Sequence, residues 1–245
     1  MSIRVGVAGW SIPSALAEQF PSVGTHLERY GARFSAVEIN SSFYRPHRRT
    51  TYERWAASVP SEFRFSVKLP KTITHERRLI DCRALIERFA DETSGLGDKR
   101  GPVLVQLPPS FAYPGDVAER FINELRAMIT GAVVLEPRHA SWFQPEVEHM
   151  LGRQQVSRVA ADPAKSLLAA QPGGWSGLAY FRLHGSPRIY ESIYGKETIE
   201  AHAKVVASLT TRGADVWTIY DNTTYGAATQ NAFQLVEAFA ERAQS

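Results

Sequence analysis

The chain has 245 residues, 44% of them hydrophobic and 22% charged, with a formal net charge of +3. That usage is ordinary for a globular protein and excludes a disordered chain; the small positive excess admits an anionic ligand but is not the concentrated basic face of a dedicated DNA binder. A lone cysteine, Cys82, excludes an intramolecular disulfide and a cysteine zinc cage, and no apolar run approaches the roughly 20 residues of a membrane span.

The first β-type segment begins almost at once, over residues 3–9, which leaves no room for a secretory signal, so a cytoplasmic location is expected. Further strands are predicted over 35–40, 63–69, 102–107, 132–138, 156–162, 178–185 and 214–222. In the gap after the third, Leu79, Cys82, Leu85, Ile86 and Phe89 recur at helical steps, which makes Cys82 a buried structural thiol. Helices are also predicted near 50–58, 116–129 and 197–211, the last ended by Gly213. The sixth gap, 163–175, contains Pro172, Gly173 and Gly174 and predicts a turn or irregular segment; after the eighth strand, Phe233, Val236, Phe239 and Ala240 form a final stripe. Strands alternating with helices build a parallel sheet, and the length suits an α/β fold made of a single (β/α)8 TIM-type barrel, one domain over residues 1–245.

Alternation along a strand then sorts the side chains. In the third strand Phe63, Phe65, Val67 and Leu69 must face the helices, so Lys68 turns inward near the carboxyl end, where barrel enzymes keep their chemistry. The same rule turns inward Glu38 and Asn40, Gln106, Glu136 and Arg138, Asp162, Arg182 and His184, and Tyr220 and Asn222. Such charges either neutralise one another as a structural network or serve a ligand; their place at the ligand-binding face favours the second.

An anion would be held by Lys68, Arg138 and Arg182, with backbone donors from the turn at Gly185 and Ser186 and from the Gly226 region. Glu38 and Glu136 are the candidates for acid/base work, with His184 as a shuttle, because carboxylates among cations can be driven to different pKa values. Trp10, Trp142, Tyr190 and Tyr194 form an aromatic rim, and the loop from Ser41 to Arg49 sets Phe43 and Tyr44 among arginines, as a lid over the mouth or as a stacking platform for nucleotides. Glu38, Glu136, Asp162 and His184 are also hard ligands suited to a divalent metal. Three basic groups share that mouth with only one histidine, so no metal ligands are assigned and no cofactor is expected, a divalent metal being the alternative.

Several stretches resemble the YecE-like family, domain of unknown function seventy-two: AGWS at 8–11, VEINSSFYRP at 37–46, FRFSVKLPKTITH at 63–75, LVQLPPSF at 104–111, EPRHASW at 136–142, YFRLHG at 180–185 and DNTTYGAA at 221–228. The resemblance implies a barrel akin to those of sugar isomerases and endonuclease IV, with no settled activity. The family's polar motif positions fall on Glu38, Asn40, Lys68, Gln106, Glu136, Arg138, Arg182, His184 and Asn222. The chain departs from the pattern in its first loop, SIPSALAEQF, and at Asp221, where many relatives have a second asparagine. The expected function is an enzyme acting on a small anionic substrate, phosphorylated or sugar-derived, at the carboxyl mouth. The alternative is a nucleic-acid-binding or repair-associated protein, including a metal-dependent phosphodiesterase of the endonuclease IV type.

Overall fold

The structure is a computed structural model and describes residues 1–243. Its strands fall on the apolar runs: β1 (Ile3–Val7), β2 (Ala36–Ile39), β3 (Arg64–Lys68), β4 (Arg100–Gln106), β5 (Val133–Glu136), β6 (Val156–Arg158), β7 (Ala160–Asp162), β8 (Gly173–Gly174), β9 (Leu178–Leu183) and β10 (Asp215–Tyr220). Around them lie α1 (His26–Gly31), α2 (Ser41–Tyr44), α3 (Arg49–Ala57), α4 (Arg83–Thr93), α5 (Asp116–Met128), α6 (Pro145–Arg153), α7 (Lys196–Thr211) and α8 (Ala227–Ala243). No helix among the described residues is long and apolar enough to cross a membrane.

The fold is α/β with parallel sheets, and the expectation of one closed ring is met only in part. The backbone ladders form two sheets, ordered β1-β10-β9-β7 and β2-β3-β4-β5-β6-β8, in which the short β8 alone runs antiparallel to its neighbour. One break divides the sixth expected strand. Its first half pairs with β5 as far as Val159, whose N–H donates to the Leu135 carbonyl at 2.9 Å, and its second half pairs with β9 from Ala160 onward. The other break lies between β1 and β2, which share only the bridge of Ala8 with Glu38 and a hydrogen bond from Gly9 N–H to the Glu38 carbonyl at 2.9 Å. The two strands are nonetheless very close there: a Cβ at Gly6 would stand 2.2 Å from the Ala36 carbonyl oxygen, a position open only to glycine.

Both sheets bury one inner cluster, made of Ala36, Leu104, Val134, Val159, Leu178, Tyr180, Trp217 and Ile219. Val37, Ile39, Phe65, Val67, Val103 and Val105 point the other way, into the larger core under the helices. Each such side chain contributes roughly 1.5–3 kcal/mol by leaving water. The helical stripes are shifted in places from expectation. Leu79 and Cys82 are buried but precede α4, with Leu79 in a turn at φ +69°. In α8 the buried face is Ala228, Ala232, Phe233 and Leu235, while Val236 and Ala240 lie in solvent, because the helix is rotated relative to the stripe read from its sequence. The sixth gap carries no α-helix, as its prolines and glycines require.

Candidate functional site

Parallel strands deliver their carboxyl ends to one side, and there Lys68, Gln106 and Glu136 are the last residues of β3, β4 and β5. Asn40, His184 and Asp221 follow directly on β2, β9 and β10. β9 shows how the interior is layered. Leu178, Tyr180, Arg182 and His184 share its inner face, successive members about 6.6 Å apart along the strand, so the chain passes from apolar floor to phenol, guanidinium and imidazole.

Arg182 is fully buried and all three of its nitrogens are engaged. Nε and Nη2 donate to Glu38 Oε2 and Oε1 at 3.0 and 2.7 Å, Nη1 donates to Glu136 Oε2 at 2.7 Å, and Nη2 donates also to Asp221 Oδ2 at 2.8 Å. From below, the Tyr180 hydroxyl donates to Glu38 Oε2 at 2.9 Å and lies 2.8 Å from Ser66 Oγ. Three carboxylates around one guanidinium are tolerable in a buried site only because each is charge-paired and hydrogen-bonded.

His184 sits on this network. Its Nδ1 is 3.0 Å from Asp221 Oδ2, a closer carboxylate contact than the 3.3 Å of Nε2 to Glu136, which favours the proton of the neutral ring on Nδ1. Nε2 then faces Glu136 Oε1 and Arg138 Nη2, both at 3.3 Å. Arg138 donates from Nε and Nη2 to Glu136 Oε1 at 3.0 and 2.7 Å. Burial pushes the Glu136 carboxyl up, but Arg182, Arg138 and His184 together hold it well below the usual carboxylate range. Asp221 is likewise pushed up by burial and brought lower overall by Arg182, His184 and Lys68.

A second row of polar groups lies across the neighbouring ends of β2, β3, β4 and β5. The Lys68 side chain is 8% exposed and its Nζ lies 4.2 Å from the centre of the Phe43 ring, with no ion pair to any described residue. Burial and the Arg182 charge push its ammonium down to about 8 against the pull of Glu38, Glu136 and Asp221. Gln106 is 8% exposed and makes no side-chain hydrogen bond to a described residue. Asn40 Oδ1 is buried without a partner. Arg138 keeps Nη1 free of hydrogen bonds to described residues, and a cavity of about 70 Å³ opens beside it and His184. His75 flanks this row with its ring 5.0 Å from that of Phe43.

Glu38, Glu136, Arg138, Arg182 and His184 are joined in one hydrogen-bonded network and Asn40, Lys68 and Gln106 stand at neighbouring strand ends, but other assignments need correction. Arg182 cannot hold a ligand anion, because carboxylates take all its nitrogens and no part of it reaches solvent. Asn222 points away from the site, donating to the Ser192 carbonyl at 2.9 Å and to Asn231 Oδ1 of α8 at 3.0 Å. Tyr220 shares that outer face, packed on Tyr194. Asp162 also faces outward and accepts from the Tyr194 hydroxyl at 2.6 Å. Trp142 is wholly buried and donates to the Phe111 carbonyl at 2.8 Å, so it is a core residue rather than a rim. The Gly185 N–H is spent on the Tyr194 hydroxyl at 2.8 Å. Tyr44 is 72% exposed, edge-on to Phe43, and it is Phe43 that covers Lys68.

Asp221, Tyr180 and Ser66 are network residues that side-chain polarity alone did not reveal. Register could have found Asp221: Trp217 pairs with Tyr180 and Ile219 with Arg182, so the next inward residue of that strand is Asp221. Among the described residues no group of three or more His, Cys, Asp or Glu side chains is placed to hold a metal ion.

The family model described as "Protein of unknown function DUF72" matches residues 4–245. The UPF0759 protein YecE of Escherichia coli (strain K12) is 31% identical over 178 residues, which take in 69% of this chain and 62% of that protein. The chain therefore spans less than two thirds of that relative's length. The crystal structure of a DUF72 family protein from Enterococcus faecalis V583 superposes with a TM-score of 0.83 at 20% identity, covering 97% of this chain and 95% of the other. One from Thermotoga maritima MSB8 gives a TM-score of 0.80 at 23% identity, with 98% and 100% covered.

Proposed function

The chain belongs to the DUF72 family, and from that premise we propose that it is an enzyme acting on a small anionic substrate at the carboxyl ends of its strands. In this reading the two sheets work as one (β/α)8 barrel domain whose interior is closed below by apolar side chains and open above. The observation that carries it is the row formed by Asn40 Oδ1, Lys68 Nζ, the Gln106 amide and Arg138 Nη1, polar groups that make no hydrogen bond to any described residue. Asn40 Oδ1 is the most telling of them, since buried polar atoms are overwhelmingly paired and it is not, and the other three stand unspent at the neighbouring strand ends. The Arg182 cluster beneath is paired within itself, and it serves as the rigid base on which the unspent row is mounted.

The roles follow from this division. Arg138 and Lys68 attract the anion, and Asn40 and Gln106 orient it. Glu38 and Glu136, saturated by guanidinium donors, act as fixed negative charges rather than as the acid and base. Proton transfer falls to His184, which Asp221 orients through Nδ1 and whose Nε2 lies beside Glu136 Oε1 and Arg138 Nη2, where an anion held by Arg138 would meet it.

Calorimetric titration with inorganic phosphate tests the reading. Wild-type protein should bind it, and Arg138→Met should bind about tenfold more weakly, the loss of one charge-assisted contact. Absence of binding by the wild type, or equal binding by the variant, would overturn it.

A further inference from the structure

Lys68 is the one cation of the site that no carboxylate holds. It ends β3 in a buried position, with Phe43 over its Nζ at 4.2 Å. The charged groups that act on it are Arg182 of β9, Glu38 of β2, Glu136 of β5 and Asp221 after β10, and it in turn acts on His75. Each of those carboxylates is already taken: Glu38 by Arg182 and Tyr180, Glu136 by Arg138 and Arg182, and Asp221 by Arg182 and His184.

We propose that Lys68 is an amine nucleophile that forms a Schiff base with a small aldehyde or ketone bearing a carboxylate or phosphate group. This deepens the function proposed above and rests on it, since Arg138 would take the anionic group. The amine nitrogen attacks the carbonyl carbon, a C–N bond forms and the C=O π pair moves onto oxygen. That oxygen then leaves as water with two of the protons of the original ammonium, and a protonated imine remains; no oxidant or reductant is consumed.

Three features support the step. A lysine that is desolvated beside a guanidinium, with no carboxylate in contact, gives up its proton readily. With Lys68 pushed down to about 8, about half of it is free amine at pH 8, against roughly one in 250 for an ordinary lysine. The protonated imine also returns a positive charge to a place where Glu38, Glu136 and Asp221 face only Arg138 and Arg182 as permanent cations.

The test is reductive trapping on the full chain at pH 8, with cyanoborohydride and either glyoxylate or glycolaldehyde phosphate, read by peptide mass spectrometry. The reduced adduct should form on Lys68 about a hundredfold faster than on Lys71, Lys99, Lys165, Lys196 or Lys204, as its larger amine fraction requires. The arm that labels faster identifies carboxylate or phosphate as the anionic group. Labelling should vanish from that peptide in Lys68→Arg while the circular dichroism spectrum is unchanged. Even labelling across the lysines would overturn the proposal. Because phosphate titration does not depend on imine formation, loss of trapping with phosphate binding retained removes the nucleophile alone, whereas trapping without phosphate binding removes the anion site alone.

Discussion

Asp221 grips His184 by one oxygen: Oδ2 accepts from His184 Nδ1 at 3.0 Å and from Arg182 Nη2 at 2.8 Å. A single atom therefore joins the imidazole to the buried guanidinium. In Asp221→Asn the amide is a poorer acceptor for both, and the negative charge that fixes the tautomer is gone. We expect a loss of about 1.5–3 kcal/mol in urea unfolding, the range for hydrogen bonds to charged groups. Nitrogen-15 spectra of His184 should show Nδ1 protonated in the wild type and a mixture of tautomers in the variant.

Arg182→Met strips the compensating charge from Glu38, Glu136 and Asp221 at once. Breaking a buried pair from one side costs about 3–5 kcal/mol, and three carboxylates lose Arg182 here, keeping only Tyr180, Arg138 and His184, so the variant should unfold at markedly lower urea or not fold. Glu38→Gln combined with Arg182→Met should recover part of the loss. A wild-type unfolding midpoint in Arg182→Met would refute the role of Arg182 as the organiser.

Stability should fall steeply in acid. Glu136 and Asp221 are held below their unfolded values, so their contribution is complete above about pH 4 and is lost as the pH falls through their folded values. Unfolding midpoints between about pH 2 and 6 should trace that limb, and Glu136→Gln should flatten it.

Lys68 has the opposite sign. It titrates near 8 when folded and at about 10.4 when unfolded, so between those values the unfolded chain binds more protons and stability rises with pH. Below pH 8 the residue therefore costs the fold on the order of 2–3 kcal/mol. Lys68→Met should be more stable than wild type at neutral pH and should lose the rise between about pH 8 and 10. Destabilisation at pH 7 would contradict this account.

Gly6→Ala should damage the junction of β1 and β2, because its Cβ would meet the Ala36 carbonyl oxygen at 2.2 Å. Overpacking of this kind costs about 1–3 kcal/mol. Thermal melts measure it, and accelerated exchange of the Gly9 amide, which bonds to the Glu38 carbonyl, would locate it.

The strands were legible because each is a compact apolar run, and inward facing was legible wherever the alternate residues were cleanly apolar, as with Val37 and Ile39 around Glu38. The rule failed on β7 and β10, where the outer face is itself polar and its groups find partners: Thr218 meets His202 of α7 at 2.9 Å, Asp162 meets Tyr194, and Asn222 meets Asn231. In β10 the buried inward residues are the apolar Trp217 and Ile219, flanked by the exposed Asp215 at its start and by Asp221 just past its end. Tyr180 was hidden because its ring belongs to the apolar cluster and only its hydroxyl to the charged layer. Whether neighbouring strands complete a ladder turns on spacings of a fraction of an ångström, which no residue pattern records.

Leu104, Val134, Leu178, Trp217 and Ile219 form a buried apolar floor beneath the charged layer. On the function proposed above, a ligand held over that floor enters and leaves by the carboxyl ends of the strands. The product of the reaction proposed above would then have to vacate before the next turnover, and it should act as a competitive rather than a noncompetitive inhibitor.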